Sequence, residues 1–210
     1  IIVIEDDLIT DKYFLQYMND SLNKFQNNKE VISIHGYLYP LKKNMSKPSF
    51  LKGADCWGWG TWKNKWDIFE PDGLKLLDNL KSRKLRKKAN FNNSFNYTKM
   101  LKDQINGKNN SWAIRWYMST FLKDMLTLYP GRSLVQNIGF DSSGAHCGTT
   151  DIFSVEVNIS SVNSNKIEVL EDMDSRKKME IFFRSTKATI LKRIQSKINR
   201  LIFANTNNDV

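Results

Sequence analysis

Residues 1–7 read Ile1-Ile2-Val3-Ile4-Glu5-Asp6-Asp7, a β-branched run that breaks directly into three consecutive acids. An apolar run with no polar interruption is the pattern of a strand buried on both faces, as the strands of a parallel α/β sheet are. No cap or turn precedes it, so the expectation is a chain that begins in mid-sheet, with amino-terminal strands missing from this sequence. The acids fall where ligands bind in open α/β sheets, at the carboxyl end of a parallel strand. Burying carboxylates is costly unless something compensates them. A hard divalent cation, manganese or magnesium, takes carboxylate oxygens and keeps positions open for a diphosphate. The alternative is a solvated acidic turn ahead of the next helix.

Working outward, Thr10 or Asp11 is placed to cap a helix whose apolar positions Phe14, Leu15, Met18, Leu22 and Phe25 recur at helical spacing. Val31-Ile32-Ser33-Ile34 reads as the next strand, followed by a loop containing Pro40 and Pro48. Strand and helix in alternation predict an α/β sheet. Residues 53–66 then crowd Trp57, Trp59, Trp62 and Trp66 together with Gly53, Gly58 and Gly60, a mixture that suits neither helix nor strand. Aromatic faces beside a lone carboxylate, Asp55, are what carbohydrate recognition uses, since sugar rings stack through C–H faces and hydrogen-bond through hydroxyls. The competing reading is a set of core tryptophans beside a turn, and the alternating glycines argue against it. Helices are expected over 72–85, 98–105 and 112–124, a strand at Leu126–Tyr129, and a glycine-rich loop over 134–148.

The chain has 210 residues, is 40% hydrophobic and carries a formal net charge of +10, so it can bury one sizeable core and calls for an anionic partner. Cys56 and Cys147 are too few for a disulfide framework, which fits a reducing cytoplasm. Residues 1–150 read as one catalytic-type body and 151–210 as an appendage, with a strand at Phe153–Val157, a Ser/Asn-rich linker and a basic amphipathic helix over 172–202. That helix sets Ile190, Leu191, Ile194 and Ile198 against Arg176, Lys177, Lys178, Arg184 and Lys187, which predicts attachment to an anionic membrane surface. The alternative packs the apolar stripe onto the body. Nucleic acid is not the expected partner, because the aromatic cluster and the basic runs at 81–88 and 176–200 do not alternate along one groove. A two-metal hydrolase needs more ligands than one acidic triplet and two histidines supply.

Four segments in this order carry a resemblance: Ile-Val-Ile-Glu-Asp-Asp-Leu with Tyr13-Phe14, Gly-Ala-Asp-Cys-Trp-Gly-Trp-Gly-Thr-Trp at 53–62, Ser111-Trp112-Ala113-Ile114-Arg115-Trp116, and Asn137-Ile138-Gly139-Phe140-Asp141 through Gly144-Ala145-His146-Cys147-Gly148. Together they resemble bacterial polysaccharide-cluster glycosyltransferases, and the Glu-Asp-Asp strand more remotely resembles that of N-acetylglucosaminyltransferase I. The resemblance spans residues 1–150 and implies the GT-A, Rossmann-like glycosyltransferase fold, a manganese or magnesium cofactor, a nucleotide-sugar donor and a saccharide or lipid-linked acceptor. It implies Asp7 as direct metal ligand, with Asp6 and Glu5 supporting the metal, ribose or donor sugar, and His146 near the metal or diphosphate. Asp55, Trp57, Trp59, Trp62, Trp112 and Arg115 are the expected acceptor contacts.

An inverting transferase needs a carboxylate base. The remote relative's base lies in a Trp-Asp-Asp-Trp segment, and the local counterpart, Trp112-Ala113, has no acid. Asp103 is the substitute expected here, with Asp55 and Asp141 as alternatives. The implied location is cytoplasmic, peripheral on the inner membrane. A further alternative is that the chain, as a piece of a longer transferase, is inactive alone.

Overall fold

The computed structural model describes residues 1–43, 45, 47–139, 151–157 and 167–187. It is a mixed α/β structure. A sheet in the order β1 (Ile2–Val3), β5 (Trp59–Gly60), β3 (Val31–His35), β6 (Leu126–Tyr129), β4 (Ser49–Lys52) stands beside a two-stranded ladder of β2 (Leu8–Thr10) and β7 (Val135–Asn137). β3 and β6 run parallel at the centre, while β1–β5, β3–β5, β4–β6 and β2–β7 are antiparallel. β3 is buried along its whole length, as its apolar run predicts.

Side chains alternate across the sheet and so divide the core. Ile34, Phe50 and Leu128 join Phe14, Tyr17, Met18 and Phe25 of α1 (Phe14–Phe25) on one face. Leu51 and Tyr129 point into the cluster built by α3 (Gly73–Ser82), α5 (Tyr97–Ile105) and α6 (Trp112–Leu122). Two short helices, α2 (Lys63–Trp66) and α4 (Arg86–Ala89), complete these connections. α1 buries Phe14, Met18 and Phe25 as its spacing predicts, but neither Thr10 nor Asp11 caps it: Tyr13 holds the N-cap position without a side-chain cap bond, and Asp11 Oδ1 accepts from Tyr13 N at 2.7 Å in the turn ahead of the helix. The helix expected to run to Leu85 stops at Ser82, because Lys84 takes a left-handed φ of 56°.

Three expectations are corrected. β1 is not buried on both faces: among the described residues its one ladder partner is β5, Ile2 and Val3 are half-buried, and Ile1 and Ile4 are 77% and 46% exposed. The tryptophan segment does contain regular structure, β5 and α2. Its glycines make room for close packing: a Cβ on Gly60 would meet Met18 Cε and the Ile1 carbonyl at 3.0 Å, and Gly58 takes φ +61° with Val135 Cγ2 2.7 Å from where a Cβ would sit. Phe153–Val157 is not a strand, although the Phe153 carbonyl accepts from Tyr37 Oη at 2.6 Å.

The carboxyl-terminal region is tied into the same core. A helix described over 173–187 starts at Asp172, whose Oδ1 accepts from the Asp174 and Ser175 amides at 3.0 and 3.2 Å. Met179, Phe182 and Phe183 sit in one cluster with Leu80, Leu101 and Tyr117. Burial of these side chains packs the described part of this segment against the body. No helix among the described residues is long and apolar enough to cross a membrane.

Candidate functional site

Glu5-Asp6-Asp7 forms the turn between β1 and β2, closed by Leu8 N donating to Glu5 O at 3.2 Å. The ladder with β7 fixes its far side: Ile138 N donates to Asp7 O at 2.9 Å, and Gly139 N donates to Asn137 Oδ1 at 2.8 Å. Gly139 carries no side chain for a spatial reason, since a Cβ there would lie 2.3 Å from Asp7 Oδ2. Among the described residues, Asp7 Oδ1 is buried without a hydrogen-bond partner. Burial pushes the Glu5 carboxyl above its ordinary value, and the neighbouring charges of Asp7 and Asp6 add to the effect.

A buried, unpartnered carboxylate oxygen beside two more acids fits a hard cation. Among the described residues no three His, Cys, Asp or Glu side chains form a complete metal cluster. A cation held by one or two carboxylates completes its shell with water and ligand phosphate, the arrangement magnesium favours.

The second feature is a cavity of about 310 Å³ walled by Tyr39, Trp57, Phe95, Tyr97, Tyr117 and Phe153. Asp55 lines it and is the focus of three phenols: Tyr129 Oη and Tyr39 Oη donate to Oδ2 at 2.9 and 3.1 Å, and Tyr97 Oη to Oδ1 at 3.4 Å. Burial raises the Asp55 carboxyl above its ordinary value, and the three hydroxyls pull the other way. His35 backs the same wall. Its Nε2 accepts from Trp57 N at 3.2 Å, its ring meets Tyr129 edge-on at 4.9 Å, and burial pushes its protonation down to about 3, so it is neutral at physiological pH. Gly53, at φ +89°, lets the backbone lie against the Tyr117 ring just before Asp55.

Cys56 joins the two features. Its half-buried thiol is pushed well up by burial, and the charges of Asp55, Glu5 and Asp7 push in the same direction. Cys56 lines the Asp55 cavity and packs, with Val3 of the strand that leads into the acidic turn, against Ile32, Trp59 and Trp116.

The other expected contacts separate. Trp59, Trp62 and Trp112 do not line the Asp55 cavity; they line a groove of about 610 Å³ that includes Ile1 and Val3. Trp59 is 3% exposed and packs against Trp112, Trp66 and Trp116 at 5.5, 5.8 and 5.9 Å. It is a core residue, because β5 turns its ring toward α6. Lys65 Nζ covers the Trp62 ring at 3.5 Å. Arg115 donates to the Pro71 carbonyl at 3.1 Å and lies over Phe69, so its guanidinium has local structural partners. Asp103 is ion-paired with Lys99 one turn back on α5, which holds its carboxyl below the ordinary value, and it lines none of these cavities. His146 and Asp141 lie outside the described residues.

Arg176, expected on a membrane-facing surface, is buried between Glu171 at 2.8 Å, the Lys88 carbonyl at 2.6 Å and the Phe91 ring. Lys177, Arg184 and Lys187 are exposed.

Sequence reasoning passed over His35, Tyr39, Tyr97 and Tyr129. A signal was present for two of them: His35 and Tyr129 end β3 and β6, the two parallel strands, where ligands gather. No protein-family model matches the chain, and no curated protein matches it.

Proposed function

We propose that the chain is the catalytic part of a metal-assisted glycosyltransferase of GT-A type, which moves a sugar from a nucleotide-sugar donor to a saccharide or lipid-linked acceptor with inversion. The observation that carries this reading is the presence of two features in one chain: an acidic turn in which Asp7 Oδ1 is buried without a hydrogen-bond partner among the described residues, and an aromatic cavity lined by the Asp55 carboxylate. Asp7, supported by Asp6 and Glu5, would hold a manganese or magnesium ion and through it the donor diphosphate. The bound ion supplies Lewis-acid neutralisation of the charge that develops on the departing diphosphate. Trp57 and Phe153, half-buried on the cavity wall, are the aromatic side chains placed to stack on a pyranose, and the cavity volume of about 310 Å³ suits a ligand of about one sugar unit. His35 acts from behind, fixing the Trp57 backbone.

Exposed Lys177, Arg184 and Lys187 support a peripheral position on an anionic, cytoplasmic membrane face, where lipid-linked acceptors present their headgroups. The deciding experiment measures manganese-dependent binding and consumption of a panel of uridine, guanosine and thymidine diphosphate sugars by the chain. Binding that needs the metal and disappears in Asp7→Ala supports the reading; equal metal affinity in wild type and variant sinks it.

A further inference from the structure

Resting on the transferase reading above, we infer that Asp55 is the catalytic base and that the phenols of Tyr39, Tyr97 and Tyr129 are the positioning groups that set its basicity. Among the described residues that line the aromatic cavity, Asp55 is the sole carboxylate, and no lysine or arginine lines it. Its two oxygens are unequal. Oδ2 is committed to Tyr129 and Tyr39 at 2.9 and 3.1 Å, whereas among the described residues the one side-chain donor to Oδ1 is Tyr97, at a long 3.4 Å. Oδ1 therefore keeps lone pairs for a hydroxyl that enters the cavity.

The side chain is held from three separate elements: the stretch after β3, the first residue of α5 and the last residue of β6. Such a carboxylate cannot swing away from an incoming acceptor, which is the positional requirement for general-base work. The neighbouring groups are consistent with this role. His35 is neutral, and the Tyr37, Tyr117 and Cys56 side chains feel the Asp55 charge without supplying a cation. Cys56, next to Asp55 on the cavity wall, packs with Val3 of β1 against the cluster of Ile32, Trp59 and Trp116, so the strand that leads into the acidic turn and the cavity wall share one piece of core.

In the step, the acceptor hydroxyl gives its proton to Asp55 Oδ1 as its oxygen bonds to the anomeric carbon. The bond from that carbon to the diphosphate oxygen breaks, and its electron pair leaves with the nucleoside diphosphate. Asp103, already paired with Lys99, is not needed.

The test compares wild type, Asp55→Asn, Asp103→Asn and Tyr129→Phe. Each is assayed for manganese-dependent turnover of the same diphosphate sugars, with water and a set of nitrophenyl glycosides as acceptors, and for manganese-dependent binding of uridine, guanosine and thymidine diphosphates. Asp55→Asn should keep nucleotide binding and lose about 10²- to 10⁴-fold in kcat. Asp103→Asn should match wild type. Tyr129→Phe removes one of two donors that favour ionised Oδ2, so the acid limb of its kcat profile should move to higher pH. Folded Asp55→Asn with turnover within about threefold of wild type overturns the assignment. If that variant does not fold, an unmoved acid limb in Tyr129→Phe overturns it instead. Wild type that binds none of the nucleotides with manganese removes the transferase reading itself, a distinct failure.

Discussion

Acidification should destabilise the fold through His35. Its imidazole is wholly buried, its Nε2 takes the Trp57 N–H, and burial lowers its protonation from 6.5 to about 3. A group that must stay neutral in the fold but charges freely when unfolded contributes stability that is complete above about pH 6.5. That contribution is lost as the pH falls toward about 3. Each unit in this window removes roughly 1.4 kcal/mol, so a drop to about pH 4.5 removes about 3 kcal/mol. Set against a typical stability of about 5–15 kcal/mol, that is a large share. Glu5 and Asp55 work in the opposite sense, because carboxyls raised by burial bind protons more tightly in the fold and add stability as the pH falls through their raised values. The His35 effect must therefore be read as a difference between wild type and His35→Gln, which keeps an acceptor for the Trp57 amide and cannot be protonated. Urea denaturation followed by tryptophan fluorescence at neutral pH and at about pH 4.5 measures it. Wild type should lose about 3 kcal/mol more than the variant on acidification. Parallel losses would show that His35 is not the buried neutral group described above.

Asp7→Ala should abolish metal-dependent donor binding while far-ultraviolet circular dichroism stays unchanged, and calorimetric titration with manganese checks it. Gly139→Ala forces a methyl to within 2.3 Å of Asp7 Oδ2, so the carboxylate must shift and manganese affinity should fall about 10- to 100-fold with the melting temperature nearly kept; unaltered affinity refutes the role of that cradle. Trp59→Ala should cost about 3–5 kcal/mol as a core truncation, whereas Trp57→Ala, half-buried on the cavity wall, should cost less stability and more turnover. Equal destabilisation by the two would place both in the core. Reversing Lys177, Arg184 and Lys187 to glutamate should weaken salt-sensitive binding to anionic vesicles by at least about 3 kcal/mol, at about 1 kcal/mol per basic residue, with neutral vesicles unbound throughout; unchanged sedimentation rules the surface out.

Elements whose own residues repeat at a clear period were legible. The 3.6-residue spacing of Phe14, Met18 and Phe25 predicts α1, and the unbroken run Val31–Ile34 predicts β3, because period and continuity report directly which face is buried. The acidic turn after β1 was plain, but it leads into β2 and not directly into a helix, because Leu8–Thr10 becomes a strand only through its ladder with β7. β4 was not: Ser49–Lys52 has no alternation of its own and becomes a strand only because β6 offers it a ladder. The two-residue β5 is likewise created by its neighbours on both sides.

Residue chemistry and local order are properties of the sequence, and they determined that this chain carries a three-acid turn, a tryptophan-rich segment and a mixture of strands and helices. Which of those side chains share a site was decided by tertiary structure. Asp55 draws its partners from 16, 42 and 74 positions away, separations at which no spacing rule operates. Conversely Trp57 and Trp59, neighbours but for one glycine, belong to different surfaces: strand alternation would put residues two apart on one face, and the left-handed Gly58 between them turns the chain and breaks that pattern. Asp103 and Asp55 are the same residue type, and only packing separates them: one meets a lysine on its own helix at the surface, the other is enclosed by three phenols at the ends of the sheet.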